Sequence, residues 1–238
     1  MYQAKITEII QETPNVKLFR LSFSELKNFS FHAGQFVMIG HPELKGDTGF
    51  LIQRAFSVAS APSQKKYLEL CIKIVEGGKF STLCERIRVG DTLEVKGPFG
   101  KFHLAEKKEQ EYVFFAGGTG IAPLMSMLRE FKHQRFPQKV TLFFTFREPE
   151  DFIYQKELEN MAMTYPHFTL LPTCTSQQPK NWQGTKGRFT IEHMKEHIAF
   201  PSIQHYYLCG NNDFVKDIKS YLAALDVPKD NIKTEAWG

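Results

Sequence analysis

The sequence predicts two domains in tandem, an all-β half of short antiparallel strands followed by an α/β half built on a parallel sheet. Three observations predict it. Over residues 1–104, short runs of β-branched and aromatic residues alternate with turn signals, the pattern of an antiparallel barrel or sandwich. Beyond about residue 110, single apolar strands alternate with longer stretches of helical period, the βα pattern of a parallel sheet. Between the two lies a polar run, Glu106-Lys107-Lys108-Glu109-Gln110-Glu111, with the composition of a boundary. The expected domains are therefore 1–104 and 110–238, and 238 residues suffice for each to bury a core of its own.

The expected strands of the first half are Lys5–Ile10, Val16–Phe23, Gln35–Ile39, Ala55–Ser60, Tyr67–Val75 and Thr92–Lys96. Thr13-Pro14-Asn15, His32-Ala33-Gly34, Ala61-Pro62-Ser63 and Gly90-Asp91 punctuate them with residues suited to turns. One short helix is expected at Ser81–Arg88. In the second half the expected strands are Tyr112–Ala116, Val140–Phe146, Phe168–Pro172 and Tyr206–Cys209. Helices at Ala122–His133, Tyr154–Tyr165 and Asn212–Ala224 alternate with them, and crossovers of that length join parallel strands.

Composition excludes several classes of function. A hydrophobic share of 42% and a charged share of 24% are those of an ordinary globular chain. The formal net charge of +4 is mild and comes mainly from residues 1–106, where 14 Lys and Arg face 11 Asp and Glu. No basic stripe marks a nucleic-acid partner. Apolar runs such as Val140–Phe146 fall far short of the roughly 18 residues of a membrane span. The opening residues Met1-Tyr2-Gln3-Ala4-Lys5 lack the apolar core of a signal peptide, so the expected location is cytoplasmic. Cys71, Cys84, Cys174 and Cys209 are too scattered for an iron–sulfur cluster or a zinc site, and no metal centre is expected.

Three segments carry candidate chemistry. Tyr112–Ala116 runs into Gly117-Gly118-Thr119-Gly120-Ile121-Ala122-Pro123, an apolar strand that breaks into a glycine turn and opens a helix. Such a turn lets backbone approach a pyrophosphate and aims first-turn N–H groups at it; read alone, it is equally a plain strand-to-helix turn. Pro123 stands where the usual dinucleotide fingerprint has a third glycine, a substitution that the first helical turn accepts. Arg54-Ala55-Phe56-Ser57, expected at a strand start, joins a cation, a flat ring and a hydroxyl, with Arg54 and Phe56 on one face by strand alternation. The bland alternative is an edge arginine and a core phenylalanine. Glu76-Gly77-Gly78-Lys79-Phe80-Ser81-Thr82 is a second candidate anion site, in which Ser81 or Thr82 would cap a helix; it reads equally as a capped hairpin loop.

The order of these segments is more telling than any one of them. Arg-x-Phe-Ser, Gly-Gly-Lys-Phe-Ser, Gly-Pro-Phe-Gly at 97–100, Gly-Gly-Thr-Gly-Ile-Ala-Pro and finally Cys209-Gly210 resemble, over nearly the whole chain, the ferredoxin–NADP reductase superfamily. The resemblance implies a flavin-binding antiparallel Greek-key barrel followed by a nicotinamide-nucleotide domain. It matches Arg54 to a flavin-phosphate contact, Phe56 to the aromatic packed on the isoalloxazine, and Ser57 to the hydroxyl near flavin N5. Cys71, Ile72 and Lys73 match the strand that lines the flavin. Gly78, Phe80 and Ser81 match the loop holding the FAD pyrophosphate, which implies FAD rather than FMN. Gly118, Thr119 and Gly120 match the NAD(P)H pyrophosphate turn, with Thr119 near the reacting rings.

Cys209 and Gly210 end a strand at the carboxyl edge of the expected sheet, where open α/β folds bind ligands. In the family this cysteine lies beside the nicotinamide C4. Glu235 and Trp237 resemble the carboxylate and aromatic that close plant-type members, although here Gly238 follows. On that match Trp237 would shield the flavin, and Glu235 with Ser57 would relay a proton. After the second expected strand of the second half, Arg147 is offered to a 2′-phosphate and Glu148 to a ribose hydroxyl, with a lean toward NADPH.

The implied function is an FAD-dependent NAD(P)H oxidoreductase that passes electrons to a small carrier protein, a ferredoxin, a flavodoxin or an oxygenase component. Two alternatives remain open, a reductase that releases flavin as a product and an electron-transfer subunit of a larger complex.

Overall fold

A computed structural model describes residues 1–45, 51–104, 111–176, 180–198 and 203–237, so the boundary residues 106–110 lie outside the described residues. The chain divides into two compact units. One comprises Met1–Leu104 together with Met125–Glu130, and the other takes the remaining described residues.

The first unit is built from β1 (Tyr2–Thr13), β2 (Val16–Ser22), β3 (Phe36–Lys45), β4 (Leu51–Ser57), β5 (Leu68–Lys73), helix α1 (Lys79–Arg86) and β6 (Thr92–Phe99). Its sheet runs β4-β3-β6-β1-β2-β5, antiparallel at each pairing. Val58 bridges Leu70 just past the end of β4, and the Ala59 N–H donates to the Glu69 carbonyl at 2.8 Å, which closes the two edges into a barrel. The insertion of β6 between β3 and β1 is the long-range return of a Greek key.

Side chains alternate along each strand, so Ala4 with Ile6, Phe19 with Leu21, Val37 with Ile39, Leu68 with Leu70, and Leu93 with Val95 fill the interior. Helix α1 contributes Phe80, Leu83 and Cys84 to the same core.

The second unit contains β7 (Glu111–Gly117), α2 (Ile121–His133), β8 (Lys139–Phe146), α3 (Gln155–Thr164), β9 (Phe168–Cys174), β10 (Thr185–Lys186), α4 (Ile191–Lys195), β11 (His205–Asn211), α5 (Asn212–Ala224) and β12 (Ile232–Trp237); the Met125–Glu130 stretch of α2 groups with the first unit. The sheet order is β10-β9-β8-β7-β11-β12, parallel throughout. The central strands are buried on both faces, which is why they read as continuous apolar runs. Val113, Phe115, Tyr206 and Leu208 pack with Met194 of α4 and with Val215, Ile218 and Leu222 of α5. The alternate residues Tyr112 and Phe114 pack against Phe131 and against Tyr207 on the opposite face.

Several expectations need correction. The strand expected at Ala55–Ser60 begins at Leu51 and ends at Ser57, so Arg54 lies within β4 and not at its start. The strand expected at Tyr67–Val75 contracts to Leu68–Lys73, because Ile74 to Gly78 turn toward α1. Strands β10 and β12 and helix α4 were not expected. Two of them are only two and five residues long, and β12 is a partly exposed edge strand whose polar sequence reads as a tail.

Candidate functional site

Within the second unit, the glycine turn is fixed by what each residue must do. Strand β7 buries Tyr112 to Ala116, and Gly118-Thr119-Gly120 then make one tight 3-10 turn that leads directly into α2. Gly118 has φ +53° with open space where a Cβ would stand, so it serves backbone conformation and leaves its surface clear. Gly120 serves close approach instead, since a Cβ there would strike the Cys209 carbonyl on the neighbouring strand. The turn is therefore seated on the end of β11.

Cys209 is fully buried on β11, level with Ala116 of β7 on one side and Glu235 of β12 on the other. Residues in register on adjacent strands share a face, and the Cys209 thiol points at the Glu235 carboxylate across 4.0 Å. Burial first, and the Glu235 charge second, push the thiol well above its ordinary value. It is a neutral thiol at physiological pH. Trp237 stands level with Asn211 and is 40% exposed.

One feature escaped the sequence reading. The ring of Phe214, in the first turn of α5, packs against both Gly117 and Gly210. Its signal was present in outline: Asn211 caps α5 by accepting the Phe214 N–H at 2.8 Å, which fixes an aromatic three residues past the strand end.

Arg147 directly follows β8 and is exposed. Its carbonyl accepts from the Cys174 thiol at 3.0 Å and from the Ser176 N–H at 2.9 Å, so its backbone is pinned while its guanidinium faces solvent. Glu148 differs, because its carboxylate joins a capping box with Asp151, whose own carboxylate accepts the Glu148 N–H at 3.2 Å.

Within the first unit, Arg54, Phe56 and Ser57 lie on β4 opposite Ile39, Val37 and Phe36 of β3. The Arg54 guanidinium is exposed and donates to the Gln53 carbonyl at 3.1 Å. Phe56 is half-buried, and its ring lies 5.0 Å from that of Phe80. That contact joins the Arg54–Ser57 segment to the Gly78–Ser81 segment.

The role expected of Ser81 needs correction: Gly78, not Ser81 or Thr82, is the N-cap of α1. Ser81 reaches back to accept the Val75 N–H at 2.9 Å, and Gly77, at φ +72° with open space around it, makes the turn. The first-turn N–H groups of α1 have no acceptor within the helix and lie behind this glycine pair. Cys71 and Ile72 are buried and Lys73 is exposed, so of the three only Lys73 presents its side chain to solvent.

These residues fit the two cofactors expected. An exposed guanidinium, a half-buried ring and a glycine-fronted helix start suit the phosphates and flat ring of FAD. An open Gly118 at the carboxyl edge of a parallel sheet suits a second pyrophosphate. Among the described residues no cluster of metal-ligating side chains occurs.

Comparison with known proteins agrees with these two cofactors. Residues 3–104 match the Oxidoreductase FAD-binding domain family, and residues 114–220 match the Oxidoreductase NAD-binding domain family. The chain is 31% identical over 99% of its length to the phenol hydroxylase P5 protein of Acinetobacter pittii, of which it covers 65%. It is 30% identical over 98% of its length to a glycine betaine monooxygenase reductase subunit of Pseudomonas aeruginosa, of which it covers 63%. It thus spans somewhat less than two thirds of these two relatives.

It is also 30% identical over 90% of its length to NADH-cytochrome b5 reductase 2 of Aspergillus terreus, of which it covers 67%. A crystal structure of a ferredoxin NADP+ reductase from Neisseria gonorrhoeae with bound FAD and NADP superposes with a TM-score of 0.77 at 26% identity, covering 98% of this chain and 97% of that one. With an FAD-binding barrel followed by an NAD-binding α/β unit, and with these likenesses, the chain belongs to the ferredoxin–NADP reductase superfamily of flavin oxidoreductases.

Proposed function

We propose that this chain is an FAD-dependent NAD(P)H reductase that takes a hydride from a nicotinamide nucleotide and delivers electrons to a protein acceptor, an oxygenase component or a small carrier such as a ferredoxin or flavodoxin. The single observation that carries the reading is the seating of the Gly118–Gly120 turn on the Cys209 carbonyl at the carboxyl edge of the parallel sheet. That geometry supports a pyrophosphate at Gly118 and the nicotinamide end near Cys209.

Bound FAD supplies the conversion between two-electron and one-electron transfer. The chain's own residues supply positioning. Gly118, Thr119 and Gly120 hold the nucleotide, the neutral Cys209 thiol and Gly210 shape the wall beside it, and Glu235 adds to the burial that keeps that thiol protonated. Arg54, Phe56, Ser57, Lys73, Gly78, Phe80 and Ser81 form the flavin side, with Cys71 and Ile72 behind it, and Trp237 is assigned to the flavin face. We assign residues 1–104 to flavin and 110–238 to the nucleotide.

The oxygenase acceptor is favoured by relatives named as reductase subunits of monooxygenases, and the modest positive excess of residues 1–106 suits an acidic partner. Cys84, Cys174 and Cys209, buried as thiols, fit a reducing, cytoplasmic compartment. Arg147, whose side chain is exposed while Glu148 is committed to its capping box, supports NADPH over NADH.

The test is an anaerobic spectral titration of the purified chain with NADPH and, separately, NADH. Bleaching of bound flavin by either is the expected result. Protein that purifies without flavin yet reduces added flavin would favour the flavin-releasing reductase, and bound flavin that resists both nucleotides would favour a subunit dependent on a larger complex.

A further inference from the structure

Two glycines at the ends of adjacent strands pose a problem that backbone conformation does not solve. Gly117 has φ −116°, and Gly210 is not among the glycines with positive φ, so any residue would fit their backbones. What they lack room for is a side chain. A Cβ on Gly210 would come within 2.5 Å of the Phe214 Cδ1, and one on Gly117 within 3.1 Å of the Phe214 Cγ. Each glycine directly follows one of the paired residues Ala116 and Cys209, so the two lie side by side. By strand alternation both face α5, the side of Phe115 and Leu208, whereas the Cys209 side chain points to the opposite face. On that second side Gly120 presses on the Cys209 carbonyl. The Cys209–Gly210 peptide is therefore held between two surfaces, Gly120 above and the Phe214 ring beneath.

We propose that Phe214 is a positioning residue for hydride transfer: its ring fixes the height of the β7 and β11 ends, and through them the Cys209 thiol and the Gly118–Gly120 turn. Its anchorage suits the task, since the Asn211 cap holds its N–H and the ring belongs to the α5-side core. This assignment rests on the reductase reading given above. Reaction rate is far more sensitive than affinity to small displacements of the reacting groups, and a misplacement of about 1 Å lowers a rate by about a hundredfold.

The experiment is stopped-flow reduction of the FAD-loaded full chain, comparing wild type with Phe214→Ala, Phe214→Leu and Gly210→Ala. We expect Phe214→Ala to lower the limiting reduction rate by about tenfold or more, while nucleotide Kd and the flavin spectrum change little. Phe214→Leu, which refills most of the volume, should recover much of the rate. Gly210→Ala should be slow in the wild-type background and much less harmful in the Phe214→Ala background, where the ring it displaces is gone.

A Phe214→Ala protein that is reduced at the wild-type rate, whatever its Tm, would overturn the assignment. So would a rate loss that Phe214→Leu does not relieve at all, or a loss expressed only as weaker nucleotide binding. Should Phe214→Ala fail to fold, Gly210→Ala decides in the wild-type and Phe214→Leu backgrounds, where the smaller side chain should relieve its rate loss and an unrelieved loss would overturn the assignment. If the wild-type chain is not reduced by either nucleotide, the reductase reading itself falls and this assignment with it; wild-type reduction with an indifferent Phe214 removes only the latter.

Discussion

Cys209 is held by its surroundings in a form opposite to that of a reactive cysteine. It has no exposure, it faces the Glu235 carboxylate, and both burial and that negative charge disfavour the thiolate. We therefore expect native protein to resist iodoacetamide at Cys209 at pH 8 and to label there only after denaturation, as read by mass spectrometry; rapid native labelling would show the site to be open or its thiolate stabilised. On the proposed reading Cys209 acts by size and position, and Cys209→Ser should slow flavin reduction more than it weakens FAD retention. On the proposed role of Arg147, the relevant quantity is a hydrogen bond to a charged 2′-phosphate, which contributes about 1.5–3 kcal/mol. Arg147→Ala should then lower the ratio of NADPH to NADH kcat/KM by roughly tenfold or more. An unchanged ratio would remove Arg147 from the nucleotide site.

At the level of elements, legibility followed burial. Strands β7, β8 and β11 were readable because each is apolar on both faces, and α5 because a capping residue precedes a regular apolar stripe. Strand β12 was not, since an edge strand carrying Lys233, Thr234 and Glu235 has the composition of a tail until its partner β11 is known. The Gly77–Ser81 segment was recognisable as a turn into a helix, but the identity of the cap was not: a positive φ at Gly77 brings Gly78 to the helix start and leaves Ser81 three residues inside. Phe214 stayed hidden because the glycines that accommodate it are distant in sequence from one another. The corrected geometry makes Ser81 a brace for the loop. Ser81→Ala strands the Val75 N–H in a partly buried position, a loss of about 1–3 kcal/mol. Looser FAD retention during gel filtration is expected, with the Arg54–Phe56 side untouched; full retention would mean that the loop does not hold the pyrophosphate.

Across the whole molecule, chain order and spatial grouping part company at α2. Residues Met125–Glu130 group with the barrel although they follow β7 in sequence. Ser126 donates to the Ser60 carbonyl at 2.7 Å, Glu130 accepts the Ser63 N–H at 3.1 Å, and Arg129 bonds the Ala59 carbonyl and the Glu69 carboxylate at 3.0 and 2.6 Å. Glu69 is fully buried and is also held by Arg20 at 2.9 Å. Burial alone would raise its carboxyl, but the Arg129 and Arg20 guanidinium groups outweigh that and hold it below the usual carboxylate range. A folded-state value below the unfolded one means that the stabilisation is present above about pH 4.3, the ordinary glutamate value, and is lost as pH falls through the folded value. Glu69→Gln, which leaves two arginines facing a neutral amide, should cost about 3–5 kcal/mol near neutrality and flatten the acid limb of stability against pH. The same network predicts how the chain responds to being cut. A fragment ending at residue 104 keeps every barrel strand, yet it loses Arg129 and with it the 2.6 Å ion pair to a fully buried carboxylate, together with the Ser126 and Glu130 bonds. That fragment should fail to unfold cooperatively in urea, whereas a fragment extended through His133 should regain a transition by circular dichroism. A residue 1–104 fragment that melts as sharply as the longer one would mean that the barrel folds without Met125–Glu130 and that Glu69 does not need Arg129.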